Sequence, residues 1–193
     1  MNFNGVKYLQ EFLPSVLATQ YENYEVVVAD NGSSDDSMEV LQSAFPTVKI
    51  ITSPTNEGFA GGYNWALKRI KADYYVLLNS DVEVTENWLI PLLNWMESRE
   101  ELAACQPKII DFQSKVQFEY AGGAGGYLDK DGYAFCAGRM FYAFEKDQGQ
   151  YQGRKDVFWA TGAALMIRRS AWEEVQGFDS DFFAHMEEID LCW

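Results

Sequence analysis

The chain has 193 residues, enough to bury a core as one domain, and its 29 acids against 15 cations give a formal net charge of −14. A chain this acidic repels nucleic acid and anionic membrane unless its few cations cluster, and no basic run is visible. Cys105, Cys136 and Cys192 are too widely spaced for a disulfide framework or a metal site, nothing resembles a signal peptide, and no apolar run reaches the roughly 18–20 residues that cross a bilayer, so the sequence reads as soluble and cytoplasmic.

Val6, Leu9, Phe12, Leu13, Val16 and Leu17 recur at helical spacing and predict a first helix, with Pro14 as a point of late start or bend. The β-branched run Glu25–Ala29 predicts a strand covered on both faces, and it ends in a polar turn, Asp30–Asp36, rich in helix-capping residues. A helix to about Phe45 and a strand over Val48–Ile51 follow. Asn56–Asn64 then opens a helix to about Ile70. The apolar run from Tyr74 predicts a strand ending at Asp81, with a helix from about Thr85 to Ser98 behind it. This alternation implies an α/β domain with a parallel sheet and helices on both faces. From Ala103 the alternation fails. Residues 111–155 are rich in glycine and aromatics and predict irregular strands and loops rather than a second domain. Phe158–Ile167 is again strand-like, Ser170–Val175 reads as a short helix, and Trp193 falls inside what looks like the start of another.

Three polar clusters, Asp30–Asp36, Asn56–Asn64 and Asn79–Asp81, each follow an apolar run, and in a parallel sheet all three gather at one edge to form a cleft. Asp81 offers a hard oxygen ligand on a short turn, which suits Mg²⁺ or Mn²⁺, although the same residue type also opens turns. Gly58, Gly61 and Gly62 at a helix start would let a phosphate approach the backbone, and tight helix–strand packing accounts for them equally well. Their spacing is that of neither a dinucleotide fingerprint nor a P-loop. The fourth cluster is His185-Met186-Glu187-Glu188-Ile189-Asp190, after Phe182-Phe183. Glu187 and Asp190 share a helical face while Glu188 points elsewhere. Such a cluster either holds one carboxylate as a general base or is the solvated acidic first turn of a helix. His185, the only histidine, reads as a surface or packing residue rather than a metal ligand, and the aromatics Phe182, Phe183 and Trp193 read as packing residues that position this segment rather than as sugar-stacking ones.

The order of these clusters resembles the inverting family 2 glycosyltransferases, in particular their rhamnosyltransferase-like branch. The resemblance is carried by Asn4-Gly5, Val28-Ala29-Asp30-Asn31-Gly32-Ser33 with Asp35, Asn56–Asn64, Leu77-Leu78-Asn79-Ser80-Asp81, Ala160-Thr161-Gly162-Ala163-Ala164, and Gly177-Phe178-Asp179 running on to Glu187–Trp193. It implies a GT-A fold, a mostly parallel central sheet flanked by helices with a Rossmann-like nucleotide-binding half. Residues 1–100 would be the nucleotide-sugar half, and 101–193 the acceptor side, of a single catalytic domain. By resemblance, Asp30, Asn31 and Ser33 meet the nucleotide, and Asn56, Gly58 and Asn64 line the donor pocket. Asn79 and Asp81 hold the two positions of the DxD-type motif, with Asp81 the ligand of Mg²⁺ or Mn²⁺. Glu188 falls where the family has its catalytic base, with Glu187 as the competing candidate.

The implied partners are a nucleotide-sugar donor and a glycan or lipid-linked acceptor, not nucleic acid. Peripheral association at the inner face of a membrane would go with the latter. Family members open with a short Val/Ile strand ahead of the point where this chain starts, and continue past the terminal Trp, so both ends read as cut. The rival readings are a non-catalytic sugar-nucleotide-binding fragment and a nucleotidyltransferase. The second of these would carry a basic Gly-rich loop after its first strand, and none is visible.

Overall fold

The computed structural model describes residues 1–193. Its first half alternates α1 (Val6–Leu17), β1 (Val27–Asp30), α2 (Ser37–Ala44), β2 (Lys49–Thr52), α3 (Gly58–Leu67), β3 (Tyr74–Leu78) and α4 (Leu89–Ser98). The second half contributes β4 (Ala104–Cys105), β5 (Gly126–Leu128), β6 (Ala134–Cys136), β7 (Arg139–Met140), β8 (Ala143–Phe144), β9 (Ala164–Arg168), α5 (Arg169–Glu174) and α6 (Glu187–Cys192). The α/β class and the order of elements through residue 98 follow the sequence pattern. The helix α1 runs through Pro14 without a break. The helix α4 starts later than the spacing predicts, at Leu89, with Pro91 in its first turn, where a missing N–H costs nothing.

The pairing is mixed where the alternation predicts parallel strands throughout. β1 and β2 are parallel, Val28 opposite Ile50, whereas β3 and β4 flank β9 antiparallel to it. The reason lies in the connections. Parallel neighbours need a crossover, while β9 enters from the loop at residues 158–163, beside the end where β3 left the sheet. That loop is no strand, because Trp159 is drawn aside: its carbonyl accepts from the Gly126 amide (3.1 Å) and its indole N–H donates to the Tyr127 carbonyl (3.1 Å).

Period-two alternation then sorts the core. Tyr75 and Leu77 pair with Ile167 and Leu165 on one face, and these pack against Ala60, Tyr63 and Leu67 of α3 with Trp172 and Phe178. Met166, opposite Val76, faces the other way and joins Leu92, Met96 and Cys105. A separate cluster of Leu9, Leu13, Val28, Leu41 and Val48 holds α1 and α2 to β1 and β2. Arg168 closes α4, donating to the carbonyls of Met96, Arg99 (3.0 Å) and Leu102 (2.7 Å), so a cation sits on the negative end of that helix.

β1 and β3 do not hydrogen-bond to each other. Between them, under α1 and α3, lies a cavity of about 780 Å³ lined by apolar side chains including Val28, Leu67 and Tyr75. Only Met1-Asn2 bridges its mouth. The Asn2 amide donates to the Ala29 carbonyl (2.8 Å), the Asn31 amide to the Asn2 carbonyl (2.8 Å), and the Met1 amino group to the Leu78 carbonyl (2.9 Å).

Candidate functional site

The turn after β1 is built from the inside. Asp30 is 1 % exposed, and its carboxylate accepts from Asn2 Nδ2 (2.9 Å), Ser33 Oγ (2.6 Å) and the Ser33 amide (3.0 Å). Asn31 is buried and ties this turn to the start of α3. Its Nδ2 donates to Asn56 Oδ1 (3.0 Å) and the Gly58 carbonyl (2.8 Å), while its Oδ1 accepts from the Glu57 amide (3.1 Å). Asn56 Oδ1 accepts in turn from the Gly58 amide (2.9 Å). Gly58 is required here twice over. Its φ of +71° is left-handed, and a Cβ on it would stand 2.5 Å from the Phe183 carbonyl oxygen. Of the two explanations for the glycine cluster, packing fits this position: the Phe59 amide donates to that same carbonyl (2.7 Å), so the segment leading to α6 lies directly on the start of α3.

Asn64 reaches further. Its Nδ2 donates to the Phe178 carbonyl (2.8 Å) and its Oδ1 accepts from the Phe178 amide (3.0 Å), a two-point clamp across 114 residues of sequence. The side chain that the resemblance assigns to the donor pocket is fully engaged with backbone.

At the end of β3 the Asn79 amide donates to the Ala163 carbonyl (3.0 Å), which carries the antiparallel pairing with β9 one position past Leu78, and Asp81 follows two residues later. Asp81 is exposed and takes part in none of the chain's ion pairs. Its charge is nonetheless felt by buried neighbours. Burial lowers the Met1 amino group to about 6 against the pull of Asp81, and burial raises Tyr63, with Asp81 adding to the shift. Burial likewise raises Glu119, again with Asp81 contributing.

The loop holding Ala163 also meets α6. Thr161 is buried, its amide donates to Gln106 Oε1 (2.8 Å), and its hydroxyl accepts from the Ala163 amide (3.3 Å). Gly162 lies beside the acid pair and under the Phe59 ring: a Cβ on it would stand 3.2 Å from Phe59 and 3.9 Å, ordinary contact, from Glu187 Oε1. Glu187 is 4 % exposed and Glu188 half-buried, and Oε2 of each is enclosed without a hydrogen-bond partner. Burial pushes both carboxyls above their ordinary range, and for Glu188 the charge of Glu187 pushes further while His185 opposes it. His185 (φ +73°) and Met186 (φ +74°) precede the helix in left-handed geometry, each at a cost of about 1–3 kcal/mol. That strain turns the chain so that both acids enter the first turn of α6.

The structure therefore ties Asn79, two residues before Asp81, to Ala163 and sets Glu187 and Glu188 beside Gly162 of the same loop, and it gathers Asp30, Asn31, Ser33, Asn56 and Gly58 at another corner. Asn64 stands apart as a clamp. Trp193, expected to pack, is largely exposed, its ring meeting the edge of Phe158 (centroids 6.0 Å) and lying against Gly132. The contributions of Asn2, Tyr63, Gln106 and Glu119 carry no local signal in the sequence.

The donor set at the end of β3 is one free carboxylate with an asparagine two residues before it, and no group of three His, Cys, Asp or Glu side chains converges in the chain. That cannot cage Zn²⁺. It does fit Mg²⁺ or Mn²⁺, which one or two carboxylates hold when waters and substrate phosphates complete the shell.

The profile of Glycosyl transferase family 2 matches residues 1–176. The chain is 24 % identical over 202 aligned residues to an N-acetylglucosaminyl-diphospho-decaprenol L-rhamnosyltransferase of Mycobacterium tuberculosis, covering 95 % of this chain and 64 % of that protein. In three dimensions it is similar to the mannosyltransferase PcManGT from Pyrobaculum calidifontis in complex with GDP-Man and Mn²⁺ (TM-score 0.66, 16 % identity, 98 % of this chain and 48 % of that one). It is similar also to S. aureus TarS 1-349 in complex with UDP-GlcNAc (TM-score 0.68, 14 % identity, 99 % and 50 %). The fold is thus of the GT-A type, and the chain spans about two thirds or less of the proteins it resembles.

Proposed function

The chain belongs to glycosyl transferase family 2, and from that premise we propose that it is the catalytic domain of a metal-dependent, inverting glycosyltransferase. Its donor is a nucleotide sugar, its acceptor a glycan or lipid-linked saccharide, and its setting glycan assembly at the cytoplasmic face of a membrane. The observation that supports the reading is the loop Gly162-Ala163: the Ala163 carbonyl accepts from the Asn79 amide (3.0 Å), two residues before the free Asp81, and Gly162 lies beside Glu187 and Glu188, each of which has one oxygen enclosed without a partner. The donor class is supported by structurally similar proteins solved with GDP-Man and with UDP-GlcNAc, and the acceptor class by the name of the mycobacterial rhamnosyltransferase. No helix is long and apolar enough to cross a membrane.

Asp81, with Asn79 behind it, would hold Mg²⁺ or Mn²⁺, which supplies positive charge to the departing nucleoside diphosphate. Glu188 takes the proton of the acceptor hydroxyl as that oxygen attacks the anomeric carbon from the face opposite the diphosphate. One C–O bond forms as the other breaks, so configuration inverts. A carboxylate held above its ordinary range by burial is a stronger base for this step than an exposed one. The Asn31–Asn56 clamp shapes the donor side, and the 179–186 segment across Gly58 limits access of water that would otherwise hydrolyse the donor.

A second reading, a sugar-nucleotide-binding domain without turnover, is favoured by the way β1–β2 and β3 meet only through Met1-Asn2, which leaves Asp30 and Asp81 at the ends of separately held strands. Calorimetric titration with UDP, GDP and dTDP, with and without Mn²⁺, followed by a donor-hydrolysis assay, separates the two. The transferase reading expects Mn²⁺-dependent binding and turnover. Asp81→Asn, at an exposed turn, should weaken that binding by at least the roughly 10–100-fold that losing even an outer partner of a metal site costs, with the circular dichroism unchanged. Binding of none of the three nucleotides would overturn the proposal, and binding without hydrolysis or transfer would leave the second reading.

A further inference from the structure

The hairpin β7–β8 presents an apolar tip on a chain that is otherwise strongly acidic. Met140, Phe141 and Tyr142 are 73, 82 and 92 % exposed. The tip is held in shape: Arg139 pairs with Phe144 and Met140 with Ala143 across the hairpin. The Arg139 guanidinium donates to the carbonyls of Phe141 (2.6 Å) and Tyr120 (2.8 Å) while lying over the Tyr120 ring (3.5 Å). Phe141 has φ +52° at the turn, a left-handed position where hairpins favour glycine or asparagine. An aromatic residue there works against the folding of the turn, so its presence points to what the turn presents rather than to how it forms.

The surrounding charge is as distinctive. Residues 132–144 contain no acid, and Arg139 is their only charged side chain. Residues 129–156 carry five cations, Lys130, Arg139, Lys146, Arg154 and Lys155, against five acids, Asp129, Asp131, Glu145, Asp147 and Asp156, a neutral stretch within a chain of net charge −14. This is the stretch where the chain's own charge least opposes approach to a lipid surface. A tip that combines a phenol with two fully apolar side chains matches the boundary between lipid headgroups and acyl chains. The preceding strand, β6, packs through Cys136 on Ile189 of α6, so the tip belongs to the same unit as Glu187 and Glu188.

We propose that the β7–β8 tip is an interfacial anchor that seats this half of the molecule on a lipid bilayer, with Phe141 and Met140 entering the acyl boundary and Tyr142 the headgroup layer. The proposal goes beyond the transferase reading, because lipid binding is measured with no donor or acceptor present and stands or falls separately.

Co-sedimentation with vesicles of phosphatidylcholine alone and of phosphatidylcholine mixed with phosphatidylglycerol tests it. The chain should bind the phosphatidylcholine vesicles at least as tightly as the mixed ones, because its net charge of −14 opposes an anionic surface. Phe141→Ser combined with Tyr142→Ser should lower that binding by about tenfold or more, since two exposed rings lose their apolar transfer. Tyr142→Trp gives an independent reading: its emission should be quenched by brominated lipid. Failure of the unaltered chain to sediment with phosphatidylcholine vesicles would overturn the proposal, as would equal binding by the double variant. Self-association in sedimentation velocity that the double variant abolishes, with no vesicle binding by either protein, would assign the tip to contact between copies and overturn it as well.

Discussion

The two polar corners of the molecule treat their hydrogen-bonding groups in opposite ways. Around the turn after β1, Asp30 accepts three hydrogen bonds and Asn31 makes three. The exceptions nearby are small neutral groups, Asn2 Oδ1 and the hydroxyls of Ser37 and Ser53. Around the end of β3 and the start of α6, two carboxylate oxygens are enclosed with no partner and a third carboxylate, Asp81, is free of ion pairs. An unpartnered buried polar group costs about 1–3 kcal/mol and more when charged, so natural folds keep few of them. The saturated corner is scaffold that fixes where a donor would lie. The unsaturated corner keeps groups whose partners arrive with substrate.

The strongest way to break that comparison is to neutralise one unsaturated acid. Glu188→Gln should lower transfer by roughly 10²–10⁴-fold, the worth of a positioned base, while donor affinity in Mn²⁺ stays close to that of the unaltered protein. The rate of the unaltered enzyme should fall as pH drops through a value above the ordinary glutamate range, because burial, and then the charge of Glu187, holds Glu188 up. Full transfer by Glu188→Gln with loss in Glu187→Gln would place the base one residue upstream.

A smaller effect is expected at the clamp. Asn64→Ala removes both hydrogen bonds to Phe178, whose backbone groups lie in the core, and should cost roughly 2–3 kcal/mol in denaturant unfolding. Nucleotide affinity measured on the folded protein should change little. The opposite pattern, unchanged stability with weakened nucleotide binding, would return Asn64 to the donor pocket where the resemblance puts it.

The sequence makes local things legible. Period 3.6 locates α1, and an apolar run ending in Asn79-Ser80-Asp81 marks a strand and its sheet edge, because each of these is written within a few residues; which face Tyr75 and Leu77 take emerges only from the pairing with β9. Resemblance adds the acid pair and the loop at Thr161-Gly162, which lie in no periodic pattern. What is not legible is pairing at a distance. The antiparallel return of β9 against β3, the reach of Asn64 to Phe178 and the bond from Gln106 to Thr161 depend on segments 55 to 114 residues apart. Nothing in a short window distinguishes an asparagine that will bind backbone from one that will bind a sugar. The glycines show the same limit: helix-start glycines fit phosphate or packing alike until Phe183 is seen lying on Gly58.

The smallest expected effect concerns stability, and it tests the unsaturated corner without any substrate. Glu187 and Glu188 have folded-state pKa values raised above their unfolded ones, chiefly by burial. A raised carboxyl contributes stability that is fully present below the unfolded value and is lost as pH rises through the folded one. At neutral pH both acids are therefore a cost to the fold, and Glu188→Gln, which keeps shape and removes charge, should melt a few degrees higher than the unaltered chain at pH 7. Near pH 4, at or below the ordinary glutamate value of about 4.3, the unaltered side chain is itself protonated and the gap should close. The same variant would then be the more stable protein and the inactive one, a pairing expected where a strained acid is kept for chemistry. A lower melting temperature at pH 7 would mean that Glu188 is stabilised by its surroundings as an anion, and that the corner is scaffold like the turn after β1.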